Sequence, residues 1–410
     1  MYRLNKIFKA IRHTHIITVC FILFSFYVAS AAFPQFLVTV GEASKSHTPF
    51  VSFIENVDEQ YAGMLGNEID LPLLTSKGTY INLNGYMAQL LGQTSMNGRY
   101  KLNNGHLTAD APSLRPQDLE DVFQNITALN NRANADGKSF LFVLAPSQVC
   151  PGEDLLPVGF TDTTNDQVSY LFELMDASEI PYLDLRQSMQ EDKIDSTQAF
   201  FITDHHWRPE TGFWAYTKII SRLAQDEHIA PQNRFYLDRA NYNFTVYDDS
   251  FLGSSGKRTG VYFAGVDDFC VISPNYETNI QVIIPSKGFD FQGRWEDVSY
   301  QGGDPGLYLA EPDYFNDNPY GRYGWSDRPL TQWRNINAPE HKKIMLIGDS
   351  FGNVPFSLMS LYFSSCDELD MRHFEGDFTA HYEEANPDII VLLVNINSIL
   401  TPNTQFPYFQ

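Results

Sequence analysis

The chain has 410 residues, of which 43% are hydrophobic and 14% aromatic, so it is long enough to bury a sizeable core. It carries 28 basic and 50 acidic residues, a formal net charge of −22. This balance excludes nucleic acid and an anionic membrane surface as partners of the folded part, because both attract positively charged protein.

Residues 1–33 have the layout of an export segment. Four basic residues stand ahead of an uncharged apolar run over residues 16–33. The run is typical of a signal peptide, and Ala29 and Ala31 fit a cleavage site of small residues. It also reaches the lower length limit for a membrane-spanning anchor, so both interpretations stay open. Either one predicts an extracytoplasmic chain that meets the membrane only through this N-terminal segment.

The cysteines predict neither a zinc site nor a rich disulfide framework. Beyond the apolar run the chain has Cys150, Cys270 and Cys366, an odd number that allows one disulfide at most. None of them has the close partner that zinc sites use. Buried structural thiols are therefore the simplest interpretation, and no cofactor is predicted.

Helices and strands begin to alternate after an N-terminal approach segment. Residues 34–114 are mixed, and we expect them to form short strands that pack on the core. From residue 115 the apolar residues recur at helical spacing, with Pro116 near the start and Gly137 at the end. The pattern then predicts a strand at 139–147, a helix near 166–177, a short strand at 181–185 and a helix from Pro209 to about Asp226.

An aromatic-rich insertion, residues 228–335, interrupts this alternation. After it the pattern predicts a strand at 343–350, a helix at 352–363, a strand at 367–374, a turn or short helix at 382–387 and a strand at 388–397. Strands that alternate with helices indicate a doubly wound parallel sheet over residues 115–401. Ligands of such sheets bind at the carboxyl ends of the strands.

A serine stands at one of these carboxyl ends. The apolar strand at 343–350 runs into "GDSFGN", and a helix is predicted directly afterwards. On such a turn the Ser350 hydroxyl would be exposed, and the first N–H groups of the helix would face an oxyanion beside it. The alternative is that Ser350 is a helix N-cap.

The stretch "TDHHW" contains the groups that would activate this serine. If the stretch is extended, Asp204 and His206 share a face and His205 points to the other. Asp204 would then orient His206, and His206 would take the Ser350 proton. His205 is interpreted as a packing or supporting residue. A metal bound to Asp-His-His is the rival, but no further acids or histidines at ligand spacing accompany it, so no metal is predicted.

Four stretches in order, "FFITDHHWRPETG", "FLGSSGKRTG", "MLIGDSFGNVPF" and "ELDMRHF", resemble the DHHW protein family. This family is related to the alginate O-acetyltransferases of the SGNH hydrolase-like superfamily. The resemblance covers about residues 50–400. It implies an α/β fold, an SGNH hydrolase-like (flavodoxin-like) doubly wound parallel sheet with the insertion. It also implies acetyl transfer to an extracytoplasmic polysaccharide acceptor, with the acetyl donor supplied by a membrane-bound acyltransferase partner.

Carried over by position, the resemblance makes Ser350 the nucleophile, His206 the general base and Asp204 the orienting acid. Arg372 matches a recurrent arginine near the site, and it would pair with Asp370 if both lie on one strand. The further candidates for the oxyanion or substrate contacts are Asn353, Trp207, Tyr323 and Trp325. The chain departs from some relatives at Asn397-Ser398, where they carry Glu-Arg.

Several alternatives remain at this stage. With water as acceptor the same residues would make an acetylesterase, and without catalysis the chain would be a glycan-binding scaffold. The aromatic residues of the insertion would form either a sugar-stacking groove or a core of their own. The glycine-rich stretch 251–260 would be either a substrate-contacting loop or a solvated turn.

Overall fold

The computed structural model describes residues 77–109, 116–230, 233–325 and 327–399. The chain divides into two compact units, Met1–Tyr80 and Ile81–Gln410. The predicted export segment at 1–33 and the approach residues up to 76 lie outside the described residues. Among the helices that are described, none combines the length and the apolar character needed to cross a bilayer.

The described helices are mostly short. They are α1 Lys77–Leu90, α2 Pro116–Ala135, α3 Thr164–Ala177, α4 Leu185–Glu191, α5 Ser196–Ala199, α6 Pro209–Gln225, α7 Ser254–Thr259, α8 Val261–Ala264, α9 Trp295–Val298, α10 Gly306–Leu309, α11 Pro319–Arg322, α12 Asn353–Tyr362, α13 Phe378–Ala385 and α14 Ile396–Ile399. Short 3-10 turns occupy Arg234–Leu237, Arg239–Asn241, Pro285–Lys287 and Ser350–Gly352.

The strands form three sheets. They are β1 Ser95–Met96, β2 Arg99–Lys101, β3 Leu107–Thr108, β4 Ser139–Ala145, β5 Tyr182–Asp184, β6 Tyr242–Phe251, β7 Asp267–Pro274, β8 Ile280–Ile284, β9 Phe289–Gly293, β10 Leu330–Arg334, β11 Glu340–Gly348, β12 Phe363–Asp370 and β13 Ile389–Asn395. The central sheet has eight strands in the order β5-β4-β13-β11-β12-β10-β8-β9.

The central sheet confirms the predicted α/β architecture and extends it. Its first five strands, from β5 to β12, run parallel. The insertion then contributes β10, β8 and β9, which pair antiparallel. The sheet is therefore mixed, whereas the alternation of elements predicted a purely parallel one. The prediction missed the antiparallel part because its short strands are interrupted by polar turns.

Helices cover both faces of the parallel part, and β4 shows why. Its residues are all apolar after Ser139, and alternate side chains enter different clusters. Leu141, Val143 and Ala145 pack with α6 and α12 on one face. Phe140, Phe142 and Leu144 pack with α2 and α3 on the other face. Each fully buried Leu, Val or Phe side chain among them stabilises the fold by about 1.5–3 kcal/mol. A continuous apolar run thus becomes a strand covered on both sides.

The described cysteines beyond residue 76 are buried free thiols: Cys150, Cys270 and Cys366. Burial raises the pKa of the Cys150 thiol to about 12, which leaves it protonated and unreactive. Their position in the apolar core agrees with the structural interpretation of the sequence.

Candidate active site

Ser350 follows β11 on a tight turn that Asp349 holds in place. The buried Asp349 carboxylate accepts a hydrogen bond from the Phe351 N–H (2.9 Å) and another from the Asn395 N–H (2.8 Å). It also accepts a hydrogen bond from the Ser398 hydroxyl, which links the segment after β13 to the Ser350 turn. Burial raises the pKa of Asp349, and these hydrogen bonds oppose the rise. Ser398 thus helps to hold the Ser350 turn in place.

The structure brings Ser350, His206 and Asp204 together. The distance from His206 Nε2 to Ser350 Oγ is 2.7 Å, and the distance from His206 Nδ1 to Asp204 Oδ1 is 2.6 Å. Asp204 has no proton to donate when ionised, so Nδ1 carries the hydrogen of that bond. Nε2 is then left with a lone pair that accepts the Ser350 proton. This is the arrangement that nucleophilic activation of a serine requires.

The sequence suggested that an extended strand brings Asp204 and His206 together, but the contact arises from a turn. Residues 202–206 are bends, and the nearest ladder contact is a single antiparallel bridge between Phe200 and Trp207. The Asp204 carboxylate folds back over the chain and also accepts the His206 backbone N–H (3.0 Å). An acidic side chain that hydrogen-bonds the N–H two residues later makes a local turn.

A second buried acid, Asp267, fixes the chain just before this turn. Its carboxylate accepts the N–H groups of Ile202 and Thr203, both at 2.8 Å, and the Thr203 hydroxyl at 2.6 Å. Burial raises its pKa, although these bonds and Arg208 favour the ionised form. Asp267 was not among the sequence candidates, because it lies more than 60 positions away from the residues it holds.

The glycine-rich stretch 251–260 packs against Asp204 and holds its carboxylate in place. It is not a solvated turn, since it runs from the end of β6 into α7 and most of its residues are buried. The Ser254 N–H donates to Asp204 Oδ2 at 2.5 Å. A Cβ atom at Gly253 would lie only 2.2 Å from Asp204 Cβ. Glycine is needed here for close approach.

Asp204 is held ionised despite its depth. Burial opposes its charge, but His206 and the Ser254 N–H outweigh burial and keep the pKa of Asp204 well below the usual range. An anion beside Nδ1 is what stabilises the imidazolium that forms when His206 takes a proton.

Aromatic rings enclose the His206 imidazole. Tyr320 stacks on it with ring centroids 4.2 Å apart and an interplanar angle of 22°. Phe351 lies 5.0 Å from the same imidazole, and Trp207 packs edge-on against Phe351 at 5.3 Å. Trp207 is fully buried, and through Phe351 it supports the site. The Tyr320 stack was not predicted, because Tyr320 is over 110 positions away in the insertion.

His205 does not point away from the other two residues. Its ring centroid is 3.9 Å from that of His206, and its Nδ1 is 3.4 Å from Asp204 Oδ1. Its side chain is nevertheless 48% exposed, against 11% for His206. The covered part of the ring, and the neighbouring His206, lower the pKa of His205 to about 4. It is therefore neutral at physiological pH.

Arg372 pairs with Asp370 as expected, but in a turn. β12 ends at Asp370, and the chain then turns so that Arg372 Nε lies 2.8 Å from Asp370 Oδ1. Its Nη2 also lies 2.7 Å from Asp327 Oδ1. Burial lowers the pKa of Arg372, but the two aspartates outweigh it and raise the pKa above its ordinary value. The guanidinium of Arg372 thus forms ion pairs with both Asp370 and Asp327 at the edge of the site.

Asn353 is the sequence candidate whose position best suits an oxyanion donor. It begins α12, directly after the Ser350 turn, and is 3% exposed. Its Nδ2 is buried and has no hydrogen-bond partner among the described residues. An unpaired buried donor costs about 1–3 kcal/mol, which fits a group reserved for a ligand.

The aromatic residues of the insertion mainly build core. Tyr323 is fully buried, and its hydroxyl lies between the Ile272 N–H (2.8 Å) and the Cys270 carbonyl (3.1 Å). Trp325 is partly exposed, and its Nε1 donates to the Val298 carbonyl. Tyr320 and Trp333 are also fully buried. The expectation that Tyr323 lines a sugar groove is therefore wrong at this position, because its hydroxyl and ring are used within the fold.

A metal ion would have to compete with the triad contacts. Asp204, His205 and His206 each offer a ligand atom within 4.8 Å of the others. However, both ring nitrogens of His206 are already engaged, one by Asp204 and one by Ser350. The two nitrogens of His206 are thus hydrogen-bonded as acyl-transfer chemistry requires and are not free to bind a metal.

The chain has an α/β fold like that of SGNH hydrolase-like proteins, and its site has the geometry of a serine nucleophile with a histidine and an aspartate. Residues 107–241 match the family model described as the SGNH hydrolase-like domain of the acetyltransferase AlgX. The matched segment includes Asp204 and His206, and Ser350 lies beyond it. Over this segment the match supports the resemblance to the alginate acetyltransferases.

Solved structures share the fold. PatB1 of Bacillus cereus, in a structure with a sulfonyl adduct, is 19% identical, with a TM-score of 0.61, over 75% of this chain and 99% of that chain. A DHHW family protein of Eubacterium siraeum is 14% identical, with a TM-score of 0.57, over 76% and 95% of the two chains. No curated protein matches the sequence at a significant level.

Proposed function

We propose that the chain is an extracytoplasmic O-acetyltransferase that transfers acetyl groups to polysaccharide hydroxyls through an acetyl-Ser350 intermediate. The observation that carries the proposal is the chain of hydrogen bonds from Asp204 through His206 to Ser350, at 2.6 and 2.7 Å. The acetyltransferase description of the matching family model supports the reaction class. The apolar segment at 16–33 supports export.

In the first half-reaction Ser350 Oγ attacks the carbonyl carbon of an acetyl donor while His206 Nε2 takes its proton. Asp204 stabilises the resulting imidazolium. The tetrahedral intermediate collapses, the bond to the donor oxygen breaks, and His206 returns the proton to that leaving group. We expect a membrane-bound acyltransferase partner to supply the donor.

Two donors are assigned to the oxyanion. The Ser350 backbone N–H belongs to the nucleophile turn, and Asn353, three residues later, offers a buried Nδ2 that has no hydrogen-bond partner in the described part of the chain. Removing one such donor costs about 10²–10³ in kcat. The aromatic enclosure of His206 excludes water on one side and so strengthens these interactions.

In the second half-reaction a sugar hydroxyl gives its proton to His206 and attacks the acetyl carbon. The bond between this carbon and Ser350 Oγ breaks, and Ser350 regains its proton from His206. If water attacks instead, the product is free acetate and the enzyme is an esterase. The distinction depends on how well the acceptor is oriented.

Incubation with 4-nitrophenyl acetate, with and without oligosaccharides, tests the proposal. We expect an acetyl group on Ser350 by peptide mass mapping and acetylated sugar when an acceptor is present. Ser350→Ala should abolish both products. Release of free acetate that no sugar diverts would favour the esterase, and an active Ser350→Ala enzyme would contradict the assigned nucleophile.

A further inference from the structure

His205 is the exposed member of the Asp204–His205–His206 group, and the triad does not use it. Its Nδ1 lies 3.3 Å from the Ser254 hydroxyl and 3.4 Å from Asp204 Oδ1. This nitrogen therefore faces the protein, whereas Nε2 makes no hydrogen bond with any of the described residues. A residue present only for packing would be buried, yet 48% of this side chain is open to solvent.

We propose that His205 is an acceptor-binding residue, whose Nε2 hydrogen-bonds a hydroxyl next to the one that attacks acetyl-Ser350. The inference rests on the proposed function and names the contact that orients its acceptor. The rings of His205 and His206 are 3.9 Å apart at their centroids. Two imidazole edges at this spacing match two neighbouring hydroxyls of a sugar, one bound by each ring.

The charge state of His205 suits this task. A neutral imidazole has one N–H and one lone pair, so it serves as donor or acceptor for a hydroxyl. His205 is neutral at physiological pH because its covered face, together with His206, Arg99 and Arg372, disfavours protonation. Neutrality also matters for catalysis, because a second positive charge in contact with His206 would oppose formation of the imidazolium.

Further polar groups continue the site on its open side. Arg372 is near enough to lower the pKa of His205, and it holds Asp327, whose side chain is 43% exposed. A few placed polar groups beside apolar rings are how sites fix the orientation of a polar ligand. Here Phe351, 6.0 Å from the His205 ring, is the apolar neighbour.

The consequence is a preference for sugar over water in the second half-reaction. A hydroxyl held by His205 places its neighbour at the acetyl carbon, whereas a water molecule has no second hydroxyl to bind. Orientation of this kind raises the effective concentration of the acceptor. The first half-reaction has no acceptor and is independent of this contact.

The test separates the two half-reactions in the full-length protein. His205→Phe keeps an aromatic ring against His206 but removes the nitrogen, and His205→Gln restores a hydrogen-bonding group. The donor is 4-nitrophenyl acetate, and the acceptors are cellopentaose, mannopentaose and xylopentaose. The readouts are the burst rate of acetyl-Ser350 formation and the ratio of acetylated sugar to free acetate.

For His205→Phe we expect a burst rate within about twofold of the parent and a transfer-to-hydrolysis ratio lowered by about tenfold, the effect of one lost hydrogen bond. His205→Gln should recover part of the ratio. An unchanged ratio, or a burst rate that falls as much as the ratio, would overturn the proposal. If the parent is acetylated on Ser350 but never transfers to sugar, the transferase itself is contradicted.

Discussion

Replacement of Gly253 by alanine is expected to damage catalysis through Asp204. The φ angle of Gly253 is −74°, which alanine adopts without strain. The added Cβ would lie 2.2 Å from Asp204 Cβ and 2.6 Å from Asp204 Oδ2. Carbon atoms in contact are about 3.5–4.0 Å apart, so Asp204 has to move by roughly 1–2 Å.

This movement breaks the two contacts that define the acid, with His206 Nδ1 at 2.6 Å and with the Ser254 N–H at 2.5 Å. A 1 Å misplacement costs about 10²-fold in rate, and loss of the orienting acid about 10⁴-fold. We therefore expect kcat/KM for an activated acetyl ester to fall between these limits, or about 3–5 kcal/mol of barrier.

The matched control is Gly293→Ala. Its new Cβ would lie 3.1 Å from a ring carbon of Phe291, a half-exposed side chain that is free to move, and at ordinary contact distance from Val298 (3.4 Å) and Asp297 (3.8 Å). Steady-state kinetics and thermal unfolding of both variants decide the matter. Overpacking at Gly253 should also cost about 1–3 kcal/mol of stability. A folded Gly253→Ala enzyme within about threefold of the parent, roughly 0.6 kcal/mol, would refute the reasoning.

Three further changes test the surroundings of the site. Tyr320→Phe should keep the parent activity. Tyr320→Leu should lower kcat by about 3–10-fold, because a ring contact is worth about 0.5–1.5 kcal/mol. Equal kcat values in both variants would contradict a role for the Tyr320 ring in positioning His206. Asp267→Ala leaves two buried N–H groups without their acceptor and should lower the free energy of unfolding in urea by about 2–5 kcal/mol, and an unchanged midpoint would contradict this. Burial, together with Arg208, lowers the pKa of His106 from 6.5 to about 4. Between these two pH values only the unfolded chain binds the proton, so the free energy of unfolding falls as the pH falls. His106→Gln should remove up to about 3 kcal/mol of this pH dependence, measured by urea unfolding at neutral pH and near pH 4, and an unchanged dependence would exclude His106 as its source.

The parallel part of the sheet could be predicted because its strands are continuous apolar runs. β4 and β13 lie within the predicted ranges, β11 overlaps its predicted range but begins earlier, at Glu340, and helix α2 begins at Pro116 as expected. The Ser350 and Asp204–His206 candidates were accessible for a similar reason. Their chemistry follows from residue type and position at a strand end, both of which are local properties of the sequence.

What the sequence could not reveal depends on contacts between distant positions. β12 begins at Phe363, and two serines follow. Its buried Asp367 is paired with Arg334 on β10 at 2.8 Å and also contacts Gln332 and His381. Gly253 and Ser254 support Asp204 from 50 positions away. Such contacts leave no periodic signal, because each residue looks like an ordinary turn former until the fold brings its partner close.

The central claim is that His206 and Asp204 activate Ser350 as a nucleophile. The most direct measurement is the rate at which phenylmethylsulfonyl fluoride modifies Ser350, located by peptide mapping, in the parent and in His206→Ala. The account predicts a single modified residue, Ser350, and a rate at least about 10³-fold lower without the imidazole. Modification of another residue, or equal rates in the two proteins, would contradict it.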